Sequence, residues 1–259
     1  MPKGPRRLKV TRKSPDSTLN AIGPLIVVAQ CLGIMPVVGV LTRNRNRVKF
    51  KWVAIRTIYS ILVLSCGITE LGLVIYRLKT FGFTLMGMEG LTFYGITLMG
   101  HICFFILAIG WPQTVRCWDK VESVFLVRPY TIGGQRLECS VRLLSFIWII
   151  LAFIEYNLAQ FASINGISRA LEICPNTEIT ALEIFHRSQR SHVFMWIKFR
   201  MWMVPFLTLI NMSLTFCWTY VDIFIMVTGI ALARRFKQIS DRIHGMKGMA
   251  IPDSFWIEI

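Results

Sequence analysis

Apolar positions gather into four uninterrupted stretches of about twenty residues, each bordered by polar, mostly basic segments. A stretch of that length matches the ~30 Å hydrocarbon core of a bilayer. The pattern predicts spanning helices over 53–76, 91–112, 143–165 and 202–233. At about 1.5 Å per residue the last of these reaches roughly 48 Å, so it is expected to leave the bilayer as a continuous helix. A fifth apolar stretch, 19–41, is broken by Gly23, Pro24, Gly33, Pro36 and Gly39. Its far flank, RNRNRVKFK, is as basic as its near flank, so a span would carry five cations across the membrane. A re-entrant or interfacial segment keeps both flanks on one side. The alternative of a signal peptide lacks a small-x-small cleavage site before the basic run.

The expected fold class is therefore all-α: a polytopic membrane helical bundle with four spans and a cytoplasmic N-terminus. Its parts are a disordered basic tail over 1–18, the apolar segment 19–41 and a ligand-sensing bundle over 53–233. Residues 234–259 form a cytoplasmic continuation of the last helix and a tail. The 29 Lys and Arg residues support this orientation. They crowd the tail, 42–51, 113–142 and 234–259, all assigned to the cytoplasm, and thin out in the loops 77–90 and 166–200, assigned to the outside. The net charge of +15 is thus a membrane-surface signature, not a nucleic-acid footprint. Mean hydropathy of +0.55 agrees.

The candidate chemistry lies in polar groups that hydrocarbon would reject. In the last span Asn211, Thr215, Trp218 and Asp222 are spaced i, i+4, i+7, i+11 and share one helical face. Tyr94, Thr97 and His101 do the same in the second span. In the third, Tyr156, Asn157, Gln160 and Ser163 fall within one arc, with Glu155 at its edge. Ser65 and Thr69 share a face of the first, with Glu70 beside them. With this topology Glu70, Tyr94, Thr97, Asn157, Gln160, Asn211 and Thr215 lie in the outer half of the membrane. Glu155, His101 and Trp218 lie near its middle, and Asp222 lies toward the inner face. Four polar faces at one depth predict a cavity open to the outside. Carboxylates and amides would bond the hydroxyls of a neutral polyol there, and an aromatic ring would pack its C–H face. The alternative use of the same Asn, Ser and Thr residues is hydrogen bonding between helices. Asp222, with Arg234 and Arg235 beyond it, is assigned a structural or gating role.

No cysteine pair has metal-ligand spacing, and no phosphate loop, G-x-S-x-G or H-E-x-x-H occurs. We expect neither a metal, a cofactor nor an enzyme. A small four-span transporter or auxiliary membrane subunit is the alternative function; the internal pseudo-symmetry expected of a transporter is not visible.

The stretch WTYVDIFIMVTGIALARRFKQISDRI, Trp218 to Ile243, resembles the fourth-helix signature of insect gustatory receptors, in the sugar-receptor branch. AIGPLIVVAQCLGIMPVVGV resembles their N-terminal apolar segment. Glu155-Tyr156 stands where many members have Glu-His, with the expected Leu at 158, and Cys174-Pro175 matches an external Cys-Pro. The resemblance covers most of 19–243. It implies a seven-helix subunit with a cytoplasmic N-terminus, assembled with other gustatory receptor subunits into a tetrameric sugar-gated cation channel in the plasma membrane of gustatory neurons. The implied sugar pocket opens outward, and the last helix lines the pore. The family's C-terminal Thr-Tyr…Gln-Phe signature is not found here, so the chain is expected to be truncated before the pore helix.

Overall fold

The computed structural model describes residues 17–42, 45–126, 130, 137–173 and 179–247. Four of its helices are long and apolar enough to cross a membrane, and among the described residues there is no strand beyond one isolated bridge between Val38 and Lys49. The all-α, four-span expectation therefore holds. In chain order the helices are α1 (Thr18–Cys31), α2 (Ile55–Phe81), α3 (Leu85–Phe125), α4 (Leu137–Ile173), α5 (Ala181–Gln189), α6 (Ser191–Phe194) and α7 (Val204–Gly245).

The helices outrun the stretches that hydropathy marks. The second span was expected to end at Pro112, yet α3 continues through it for another thirteen residues. A proline costs one intrahelical bond but need not end a helix whose next turn is packed. Trp111 and Val115, on either side of Pro112, are both buried. α7 runs on past the apolar stretch that ends at 233, where a continuous helix was expected, and reaches Gly245, roughly 63 Å at about 1.5 Å per residue. Nothing in ARRFKQISDRI breaks a helix. At its start, Pro205 occupies the first turn, where its missing N–H has no partner to lose.

The spans bury little of themselves. Ile58, Leu62, Ile68, Phe146, Leu151, Phe161 and Ile225 are all exposed on the bundle surface. In water such a surface would drive aggregation, but beside lipid tails it is at equilibrium, and helix association rests on packing and hydrogen bonds. α4 is the rim helix: 17% of its most apolar stretch is buried, against 33% in α3 and α7.

α1 behaves differently. Ala21, Ile22, Leu25, Ile26 and Ala29 are almost wholly enclosed, packed in one core with Phe104, Ala108, Trp111, Tyr220, Ile223 and Val227. Fourteen residues of helix reach about 21 Å, short of a ~30 Å core. The chain then reverses. Gly33 adopts φ +75°, where a Cβ would sit 2.9 Å from Val63 Cγ2. Gly39, at φ +83°, passes so close to the Arg47 carbonyl that no side chain fits. Gln30 closes the hairpin, donating from Nε2 to the Val37 carbonyl at 2.7 Å and accepting from Arg56 Nη1 at 2.5 Å.

Two sequence expectations change. Ser17 and Thr18 were placed in a disordered tail, yet both are buried; a carboxylate from α3 holds them there. The rest of that tail lies outside the described residues. The loop expected over 166–200 is largely helical, because α4 continues to Ile173 and α5 and α6 follow.

Candidate functional site

Helices α2, α3, α4 and α7 leave a cavity of about 690 Å³ between them, at the end of the bundle covered by α5 and α6. That volume falls within the roughly 300–1,000 Å³ usual for small-molecule sites. The helical period explains which residues reach it. α7 contributes Thr208, Asn211, Thr215, Trp218 and Thr219, and α4 contributes Ala152, Glu155, Tyr156, Ala159 and Gln160. Each set occupies successive turns on one face. α3 adds Glu89, Gly90, Phe93 and Tyr94; α2 adds Val74 and Arg77.

The walls mix donors, acceptors and rings. Asn211 Nδ2 donates to the Tyr156 hydroxyl at 3.2 Å and ties α7 to α4 across the cavity. Tyr94 meets the His192 ring edge to face, with centroids 5.5 Å apart. Trp218 is half-exposed along the wall. The carboxylates of Glu89 and Glu155 are exposed and have no ion pair among the described residues. Such a surface offers acceptors on one wall, aromatic faces beside them and cationic donors above.

The roof is built locally. The Thr180 hydroxyl caps α5 by accepting from Glu183 N at 3.3 Å. Phe185 and His186 form its buried face, and His186 stacks on Phe199 with rings 24° apart. Burial, reinforced by the nearby Arg190 charge, holds the His186 imidazole below its ordinary pKa of 6.5.

Three consecutive roof residues are pinned to α2. Arg190 Nη1 lies 3.3 Å from Glu70 Oε1, and His192 Nε2 lies 2.5 Å from Oε2. Arg77 Nη1 donates to the Ser191 hydroxyl. Glu70 and Arg77 stand two turns apart on one face of α2. Arg190 also donates to the Leu207 carbonyl, near the start of α7. Glu70, Arg190 and His192 are all nearly buried.

Of the residues that the sequence assigns to a ligand cavity, Tyr94, Glu155, Gln160, Asn211, Thr215 and Trp218 line one cavity. Glu70 does not; its carboxylate is turned to the roof. Asn157 points away on exposed α4 and donates to the Phe153 carbonyl at 2.7 Å. Thr97 spends its hydroxyl on the Phe93 carbonyl at 2.8 Å, and His101 places Nδ1 3.2 Å from the Thr97 carbonyl. Both are buried between helices away from the cavity wall. Sequence reasoning missed Arg77, Glu89, Arg190 and His192. The cysteines Cys31, Cys66, Cys103, Cys117, Cys139 and Cys217 are free; Cys174-Pro175 lies outside the described residues.

The residues assigned to structure or gating separate. Asp222 is exposed on α7, one turn beyond Trp218, with no polar partner among the described residues. Arg234 is half-buried. Arg235 is buried and donates from Nη2 to Glu122 Oε1 at 2.6 Å and from Nη1 to Gln238 Oε1 at 2.8 Å. The same Glu122 carboxylate accepts from Thr18 N at 2.8 Å, Thr18 Oγ1 at 2.5 Å and Ser17 Oγ at 3.0 Å. It therefore caps α1 from another helix, where the partial positive charge of the helix start favours an anion. A second cavity of about 690 Å³ adjoins this knot between α3 and α7, walled chiefly by Cys117, Trp118, Val121, Phe125, Leu232, Phe236 and Ile239.

The trehalose receptor family model matches residues 5–259. Gustatory receptor for sugar taste 64a of Drosophila melanogaster is 31% identical over 93% of this chain and 53% of its own length. Gustatory receptor for sugar taste 64b is 29% identical over 93% of this chain and 59% of its own length. Gustatory receptor 5a for trehalose is 24% identical over 96% and 56%. The chain spans about half the length of the curated relatives it matches. With a family model matching nearly end to end, this four-span helical protein belongs to the trehalose receptor family.

Proposed function

We propose that this chain carries the sugar-sensing part of a taste receptor and that the cavity beneath α5 and α6 holds the sugar. The observation that carries the reading is the lining itself: Glu155, Gln160, Asn211, Thr215, Tyr94 and Trp218, from three helices, on one space of about 690 Å³. A neutral polyhydroxy ligand has no charge to pair, so it is held by many hydrogen bonds and by ring faces against its C–H surfaces. The family membership and the sugar-taste names of the relatives support the same reading.

In this proposal the cavity end faces the outside and the Glu122 end the cytoplasm, because the basic segments 45–51 and 234–247 gather at the latter. α1 is then a re-entrant helix entering from the cytoplasmic side. A subunit of the relatives' length built on this bundle would be a sugar-gated cation channel, assembled with other gustatory receptor subunits in the plasma membrane of taste neurons. Equilibrium binding of radiolabelled trehalose and sucrose to the chain in lipid nanodiscs tests the first step. Saturable binding weakened by Asn211→Ala and Gln160→Ala is expected; binding to neither sugar would refute it.

A further inference from the structure

We propose that Tyr156 and Asn211 form a two-pronged grip for neighbouring hydroxyls, so that the cavity selects ligands carrying an intact vicinal diol. The inference rests on the cavity being the ligand site, and deepens it by naming the ligand feature that this couple recognises.

Three observations carry it. The two side chains meet from α4 and α7, with Asn211 Nδ2 donating to the Tyr156 hydroxyl at 3.2 Å, and both line the cavity. That contact uses one amide proton and one phenol lone pair. Neither side chain makes another hydrogen bond among the described residues, which leaves Asn211 Oδ1 as an acceptor and the Tyr156 proton as a donor. Thr215, one turn along α7, does not supply that donor, because its hydroxyl donates to the Asn211 main-chain carbonyl at 2.8 Å. Finally, the Tyr156 ring is held in place. It packs edge to face on buried Phe216, with centroids 6.1 Å apart, at the margin of the main core.

The chemistry suits a diol. Every hydroxyl can both give a proton and accept one. One ligand hydroxyl donates to Asn211 Oδ1, and the hydroxyl on the next carbon accepts the Tyr156 proton. Because the amide nitrogen is already tied to the phenol oxygen, the two prongs stand about one hydrogen-bond length apart. A grip fixed in this way loses little freedom when a ligand arrives. A deoxy ligand leaves one prong unpaired and forfeits its hydrogen bond. Tyr156 is thus a specificity-determining residue: its ring packs the wall and its proton selects the ligand.

Competition binding to the full chain in nanodiscs tests this. Radiolabelled trehalose is displaced by trehalose or by analogues deoxygenated at C2, C3 or C4 of both rings, so that the ligand's symmetry cannot hide a loss. The parent is expected to bind the analogues at two adjacent carbons about tenfold more weakly than trehalose, near the upper end of what one hydrogen bond contributes. Tyr156→Phe keeps the ring and removes only the hydroxyl. It is expected to weaken trehalose binding about tenfold, to abolish discrimination at one of those carbons and to leave the melting temperature unchanged. Asn211→Ala is expected to abolish discrimination at the other carbon, and it decides alone if Tyr156→Phe does not fold. Unchanged trehalose affinity in Tyr156→Phe, an equal loss for trehalose and all three analogues, or relief at carbons that are not neighbours would each overturn the diol grip while leaving the ligand site standing. No saturable trehalose binding to the parent would overturn the ligand site itself, and the grip with it.

Discussion

Two buried glutamates, one at each end of the bundle, show how the same side chain can be put to different uses. Glu122 is saturated by a backbone N–H, two hydroxyls and a guanidinium, all on long helices or at the fixed start of α1. Glu70 is held by two side chains of a one-turn helix and its lead-in. The adjoining cavities have similar volumes, but the one beside Glu122 has largely apolar walls, whereas the one beside Glu70 is lined with amides, carboxylates, cations and rings. A buried carboxylate that gathers four donors from rigid partners locks a fold. One that fixes a short loop helix beside a polar cavity shapes the wall of that cavity.

The contrast makes predictions of decreasing size. Arg235→Ala leaves the Glu122 charge buried without its guanidinium, a loss of about 3–5 kcal/mol for pairs of this kind. It should lower the melting temperature sharply and cut the yield of folded chain from detergent; an unchanged transition would remove Glu122 from its structural role. Trp218→Ala and Asn211→Ala should each weaken sugar binding by about tenfold, near 1.4 kcal/mol, and shift the melting temperature little. Losing stability and not affinity would make these residues interhelical glue. Asp222→Asn should stabilise the chain by about 1 kcal/mol, since an unpaired carboxylate facing hydrocarbon is itself a cost of a few kcal/mol that the protein relieves only in part. A destabilised Asp222→Asn would mean that the carboxylate has a partner in the membrane.

The smallest effect concerns pH. Because the folded protein holds His186 below its ordinary value, the unfolded or detached roof binds the extra proton more readily. The contribution of His186 to roof stability is complete above about pH 6.5 and is lost as pH falls below it. Hydrogen exchange of the peptide 181–194 should therefore quicken modestly between pH 7.5 and 5.5 in the parent and stay level in His186→Phe. The opposite slope would mean that the imidazole is held in its charged form.

The two ends also differ in how far the sequence foretells them. The spans and their order follow from hydropathy and from basic flanks, because lipid imposes the same length on every crossing. Tyr94, Glu155, Gln160, Asn211, Thr215 and Trp218 follow from helical period alone, since residues on successive turns must share a face. Asn157, Thr97 and His101 have the same polarity but turn back onto carbonyls of the preceding turn, a local solution that periodicity cannot separate from a cavity contact. Arg190 and His192 lie in a loop without period, 120 and 122 positions from Glu70. Glu122 and Arg235 are 113 apart, Glu122 in an extension of α3 past Pro112 that hydropathy does not register and Arg235 in the expected continuation of the last helix. Such pairs arise from packing, which a single sequence does not display.

The central claim, that the polar cavity and not the apolar one receives the ligand, is tested most directly by photocrosslinking a diazirine-bearing trehalose to the chain in nanodiscs and mapping the modified peptides. Labels on 152–160, 185–192 and 208–219, competed away by unlabelled trehalose, are the predicted result. Competed labels on 113–125 and 232–239 would place the sugar at the wrong end of the bundle and contradict the account.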